Sequence, residues 1–189
     1  MRELSKKITD FFVQKNVIQE DEYAVYQYGV EILFENISVC IFLLMCGMVL
    51  HKVCDTILFL GVFVGVRRYS GGYHANTRAK CHLITLTAWG LYIFSLVMYR
   101  QFCFIGRNAG IVLSVLVCLA LFFLAPVENV KKPLLESVKC RNRRITRLLA
   151  SCFLLLECFV WSQLPEFAFA CLVILIEVVL LMIWAKVRR

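Results

Sequence analysis

The chain has 189 residues, 61% of them hydrophobic, with 21 Lys plus Arg against 13 Asp plus Glu and a formal net charge of +8. A mean hydropathy of +0.77 lies far above that of a soluble globular domain and excludes that class. Apolar runs joined by short charged segments leave room for a single membrane domain over 1–189, and for no second, soluble one.

Near the start, Leu4, Ile8, Phe11 and Phe12 fall at i, i+4, i+7 and i+8, with Ser5, Lys6, Lys7 and Asp10 on other faces. That pattern predicts an amphipathic helix lying in the membrane interface, so segment 1–28 reads as an anchor. Because the first thirty residues are charged and interrupted, no cleavable signal peptide is expected. Six apolar stretches then approach the roughly 17–25 residues that cross a bilayer: 31–50, 53–66, 82–99, 109–125, 148–163 and 167–185. The second is short for a full span. The expected class is all-α, a polytopic integral membrane protein with about six transmembrane helices plus the N-terminal interfacial helix.

Positive residues favour the inner side of a membrane. With six spans and both termini inside, the inner segments take Arg2 to Lys15, Arg67 to Lys80, Lys131 to Arg147 and Lys186 to Arg189, while the outer turns keep only Lys52, Arg100 and Arg107. The net charge is thus a topology signal facing anionic lipid, and no nucleic-acid partner is needed to explain it.

Ten cysteines are present. Cys40, Cys46, Cys118, Cys152, Cys158 and Cys171 lie in apolar runs, where a thiol acts as a small hydrophobe. Cys140 falls in the basic segment 126–147, read as an inner loop on the reducing side. Cys54 and Cys103, near outer ends, are the only plausible bridge partners, though no spacing requires a bridge. Cys81 differs: it closes the polar segment 67–81, follows Arg78 and Lys80, and opens an apolar run. Nearby cations raise a thiol's thiolate fraction, and thiolate is the nucleophile.

His74 is the natural base for Cys81. On one unbroken helix their seven-residue spacing would hold them about 10 Å apart along the axis, too far for proton transfer. The pairing therefore requires His74 to lie off the helix that carries Cys81. Gly71-Gly72 supplies a break, and Asn76 or Thr77 is a candidate helix cap. His82 is a rival base, but adjacent helical side chains diverge by about 100°. A zinc site from His74, Cys81 and His82 lacks a fourth ligand and any usual spacing, so no metal or cofactor is expected. Glu157 and Glu177, inside the last two spans, are expensive in lipid. Their placement leaves open a packing or interface role, or a small peptide or proton-coupled transporter.

Arg67, Gly72, His74 and Cys81 fit, without a gap, the motif Arg-x4-Gly-x-His-x6-Cys, and Ala125-Pro126 with Lys131-Lys132-Pro133-Leu134 forms a second match. In both, the chain resembles the accessory gene regulator B family of bacterial membrane endopeptidases that process quorum-sensing propeptides. The resemblance implies a cysteine peptidase in the plasma membrane, with both termini and the active site on the cytoplasmic side. Its substrate would be a propeptide with an amphipathic leader and an acidic tail. Cys81 would be nucleophile and His74 base, with Arg67 binding substrate and Gly72 shaping the backbone. Cyclisation of the acyl group would yield a thiolactone or lactone, and the enzyme would work as a homodimer.

Overall fold

The computed structural model describes residues 2–71, 78–127 and 136–187. Among them the protein is all-α, with seven helices and no strand beyond one isolated bridge. The chain divides into two compact units, one running to His51 and the other from Lys52.

The first unit holds α1 (Arg2–Gln14), a 3-10 turn at Glu20–Glu22, and α2 (Tyr23–Val49). The expected amphipathic helix forms, but its protein-facing side is polar. Ser5 and Thr9 are fully buried, whereas Leu4 and Phe11 are about half exposed. Ser5 donates to Glu31 Oε1 at 3.4 Å and Tyr23 donates to Asp10 Oδ1 at 2.7 Å, tying α1 to α2. Helices in lipid turn small and polar residues toward one another and leave bulky apolar ones outside, because lipid tails solvate Leu and Phe as well as a protein core does.

The second unit holds α3 (Val53–Ser70), α4 (Arg78–Phe102), α5 (Arg107–Leu124), α6 (Glu136–Gln163) and α7 (Pro165–Val187). α7 is apolar on every face and is packed by all four others, as such a helix must be. Ile174, Leu175 and Met182 along it are wholly buried. Aromatic pairs lock its neighbours: Phe59 stacks on Phe63 at 4.8 Å and meets Tyr92 at 5.3 Å, and Tyr99 stacks on Phe169 at 4.1 Å. Gly110, Ser114 and Cys118 form a buried small-residue row on α5. That row lets α6 approach closely: a Cβ at Gly110 would overlap the Trp161 indole.

Five helices among the described residues are long and apolar enough to cross a membrane, namely α2 and α4 to α7. α3 has 18 residues and carries Asp55, Arg67 and Arg68, which keeps it outside that group. The basic run from Glu136, expected as loop, is instead the opening turns of α6. Strong helix formers explain this: Lys and Arg dominate it, and Lys139 reaches back to Glu136 at 3.4 Å.

The helix ends of this unit sort by charge. Arg100 clasps Asp55 with two hydrogen bonds, 3.1 and 3.2 Å, and Glu166 with one at 3.0 Å, fastening the end of α4 to the starts of α3 and α7. At the opposite end, the Val127 amide donates to the Ser70 carbonyl at 2.9 Å, joining the exits of α5 and α3.

Candidate active site

The site is built where α3 ends and α4 begins. Gly71 terminates α3 with φ 73° and ψ −155°, a region open essentially to glycine alone. Its backbone forms a parallel bridge with Val127, and a Cβ there would strike the Val127 carbonyl. Of the expected Gly71-Gly72 break, Gly71 bears it out; Gly72 lies outside the described residues.

Cys81 is the fourth residue of α4, half-buried in its first turn. Its carbonyl accepts from Thr85 Oγ1 at 3.2 Å, so the turn is regular there. Arg67, one turn before the end of α3, lies over the Phe63 ring at 5.3 Å. Its guanidinium donates to the Cys81 sulfur and is coupled to it by charge. The Arg67 guanidinium and the first turn of α4 therefore meet at one sulfur.

Arg67 and Cys81 are thus brought together. His74 and Gly72 lie outside the described residues, as do the candidate caps Asn76 and Thr77 and the segment holding Lys131 and Lys132. α4 opens at Arg78, directly after those caps. Among the described residues no group of three or more His, Cys, Asp and Glu side chains is placed to hold a metal ion. All ten cysteines are free, including Cys54 and Cys103.

Sequence reasoning did not find Ser70 and Val127, which hold the turn after α3. The only available signal was the Ala125-Pro126 dipeptide, which ends α5 just before Val127. The buried acids are placed separately. Glu157 Oε2 accepts from Ser114 at 3.2 Å, and Trp161 donates to the same hydroxyl at 3.3 Å. Glu157 Oε1 and Glu177 Oε2 are buried with no hydrogen-bond partner among the described residues.

The sequence profile of the accessory gene regulator B family matches residues 5–183. The chain belongs to the accessory gene regulator B family. Among its relatives, a putative AgrB-like protein of Listeria innocua is 28% identical over 136 residues, covering 70% of this chain and 64% of that protein. The accessory gene regulator protein B of Staphylococcus lugdunensis is 24% identical over 164 residues, 85% of each chain. A putative AgrB-like protein 2 of Clostridium perfringens is 25% identical over 158 residues, covering 82% of this chain and 74% of the other. The chain spans less than two thirds of the Listeria protein's length. No solved structure matches it.

Proposed function

We propose that this membrane protein is a cysteine endopeptidase that removes the C-terminal tail of a quorum-sensing propeptide and lets the remainder cyclise. The observation that carries the proposal is the contact between Arg67 and Cys81 at the start of α4. Family membership supports the quorum-sensing context.

In this reading the Cys81 sulfur adds to the carbonyl carbon at the end of the signal sequence, its proton passing to His74. Collapse of the tetrahedral adduct breaks the C–N bond. The leaving amine takes the proton back from His74, and a thioester to Cys81 remains. An internal thiol or hydroxyl of the substrate then attacks that thioester. The C–S bond to Cys81 breaks and a thiolactone or lactone leaves. A thioester is close in energy to the thiolactone that replaces it, so the second step requires no external energy source. Water must be excluded, or the linear acid forms. A site at the membrane boundary suits that demand.

Arg67 contributes in two ways: it holds the Cys81 sulfur through its guanidinium, and it offers donors to a substrate carboxylate. Gly72 is assigned to backbone shape. Sidedness is proposed from charge, since Arg67, Arg143, Arg147 and Lys186 fall at the Cys81 end of the second unit. That end faces the cytoplasm under the positive-inside rule. Membrane lipid surrounds the chain, and two copies form the working enzyme.

The test is mass spectrometry of proteoliposomes holding the protein, Cys81→Ala or His74→Ala, with a propeptide that has an amphipathic leader and an acidic tail. Release of the tail by the unmodified protein alone, with an acyl adduct on Cys81, is expected. Continued cleavage by Cys81→Ala would overturn the reading. A second reading, a peptide or proton-coupled transporter, draws on Glu157 Oε1 and Glu177 Oε2, buried with no hydrogen-bond partner among the described residues. It predicts transport that survives Cys81→Ala and fails in Glu157→Gln or Glu177→Gln.

A further inference from the structure

A cleft of about 240 Å³ opens where α5 and α7 end against the early turns of α6, lined by Phe123, Ala125, Val127, Arg143, Arg147 and Lys186 among others. Arg143 and Arg147 stand at i and i+4 and so share a face of α6, and Lys186 comes from the last turn of α7. Arg147 is braced over the Phe122 ring at 4.8 Å. No carboxylate among the described residues pairs with any of these three cations. Three like charges around one concavity repel, and an anion seated among them relieves that repulsion.

The depth of the cleft identifies the anion. α5 and α7 are both apolar enough to cross the membrane, and the cleft lies at the residues where they stop. That is headgroup level in a bilayer. Flanking residues are bulky, apolar and outward-facing: Phe123 is 74% exposed, Leu148 65% and Val187 79%. Such surface suits acyl chains beside a charged headgroup.

We propose that Arg143, Arg147 and Lys186 form a binding site for the phosphate of an anionic phospholipid, held between the ends of α5, α6 and α7. Basic clefts between transmembrane helices bind acidic headgroups by this chemistry, with arginine giving paired donors to phosphate oxygens. The site stands apart from the peptidase reading, because occupancy can be measured with no substrate present.

The experiment is native mass spectrometry of the delipidated full chain, titrated with phosphatidylglycerol or phosphatidylcholine. The double variant Arg143→Gln/Arg147→Gln is compared with Arg141→Gln/Arg144→Gln, which removes the same charge from neighbouring residues that do not line the cleft. Tight retention of phosphatidylglycerol over phosphatidylcholine is expected, weakened about tenfold or more in the cleft variant and little changed in the control. Lys186→Gln, on another helix, is expected to weaken retention too, which guards against a local folding defect in α6. Equal loss in both double variants would mean general surface charge and would overturn the proposal. Displacement of the lipid by equimolar inorganic phosphate would overturn it in favour of a free-phosphate site. Displacement by an equimolar hexaglutamate peptide would overturn it in favour of a peptide subsite.

Discussion

Gly71 lies against the Val127 backbone with no room for a side chain, and the Val127 amide donates to the carbonyl of the residue before Gly71. Two segments far apart in sequence are thereby clamped where α3 delivers Arg67 to Cys81. The turn leading out of α3 is held by a residue from beyond α5.

Replacing Gly71 tests the clamp. Gly71→Ala places a Cβ at φ 73°, costing about 1–3 kcal/mol of local strain, and adds a collision with the Val127 carbonyl. Tail cleavage is expected to fall about tenfold or more, with a smaller loss of thermal stability because the packing around α7 is untouched. Cleavage at the unmodified rate, followed by mass spectrometry, would show that the clamp does not position the site.

The Arg67 contact has its own readout. A hydrogen bond from a charged donor contributes about 1.5 kcal/mol, roughly a tenfold effect on a rate that depends on it. Arg67→Gln is expected to slow iodoacetamide labelling of Cys81 by about that factor at neutral pH, measured peptide by peptide. Labelling of the exposed Cys140 serves as the internal reference. Arg67→Lys keeps the charge but loses the planar fork, so it should fall between the two.

Packing between α5 and α6 makes a paired prediction about glycine. A Cβ at Gly110 would overlap the Trp161 ring, whereas one at Gly90 would meet nothing within 4 Å. Gly110→Ala is expected to destabilise the protein by about 1–3 kcal/mol. Gly90→Ala, in the middle of α4, should be neutral or stabilising by up to about 1 kcal/mol. Thermal unfolding in detergent decides it, and a similar shift for both would contradict the close α5–α6 approach.

At the other end of the second unit, Arg100 joins Asp55 and Glu166. These groups are partly exposed, so water and salt screen them. Arg100→Gln is expected to cost about 1 kcal/mol, with the difference from the parent shrinking as salt rises. A loss that is independent of ionic strength would assign the residue's role to packing instead.

Much of the architecture was legible in the linear chain because the bilayer is a demanding solvent. Runs of apolar residues at least as long as α5 are forced into helices, since no other open structure satisfies the backbone in lipid. α4, α5 and α7 lie close to the expected stretches 82–99, 109–125 and 167–185, while α6 covers 148–163 but opens earlier, at Glu136. Cys81 stood out among ten cysteines because its boundary position is a sequence property, and the structure keeps it at a helix start. The face of α1 that meets protein was not legible. Its apolar periodicity is clear, but in lipid that stripe marks the outside, and Ser5 and Thr9 turn inward.

The sequence by itself determined the class, the order of the helices, and the one cysteine set apart by charge, because transfer into lipid is governed by composition over a short window. Only the tertiary structure decided which residues meet. That α7 lies at the centre of the second unit, that Val127 clamps the end of α3, and that Arg67 reaches the Cys81 sulfur are matters of which faces pack. Helices in lipid gain little from burying one apolar face over another, so small residues, hydrogen bonds and shape select the partners, and none of these has a period to read.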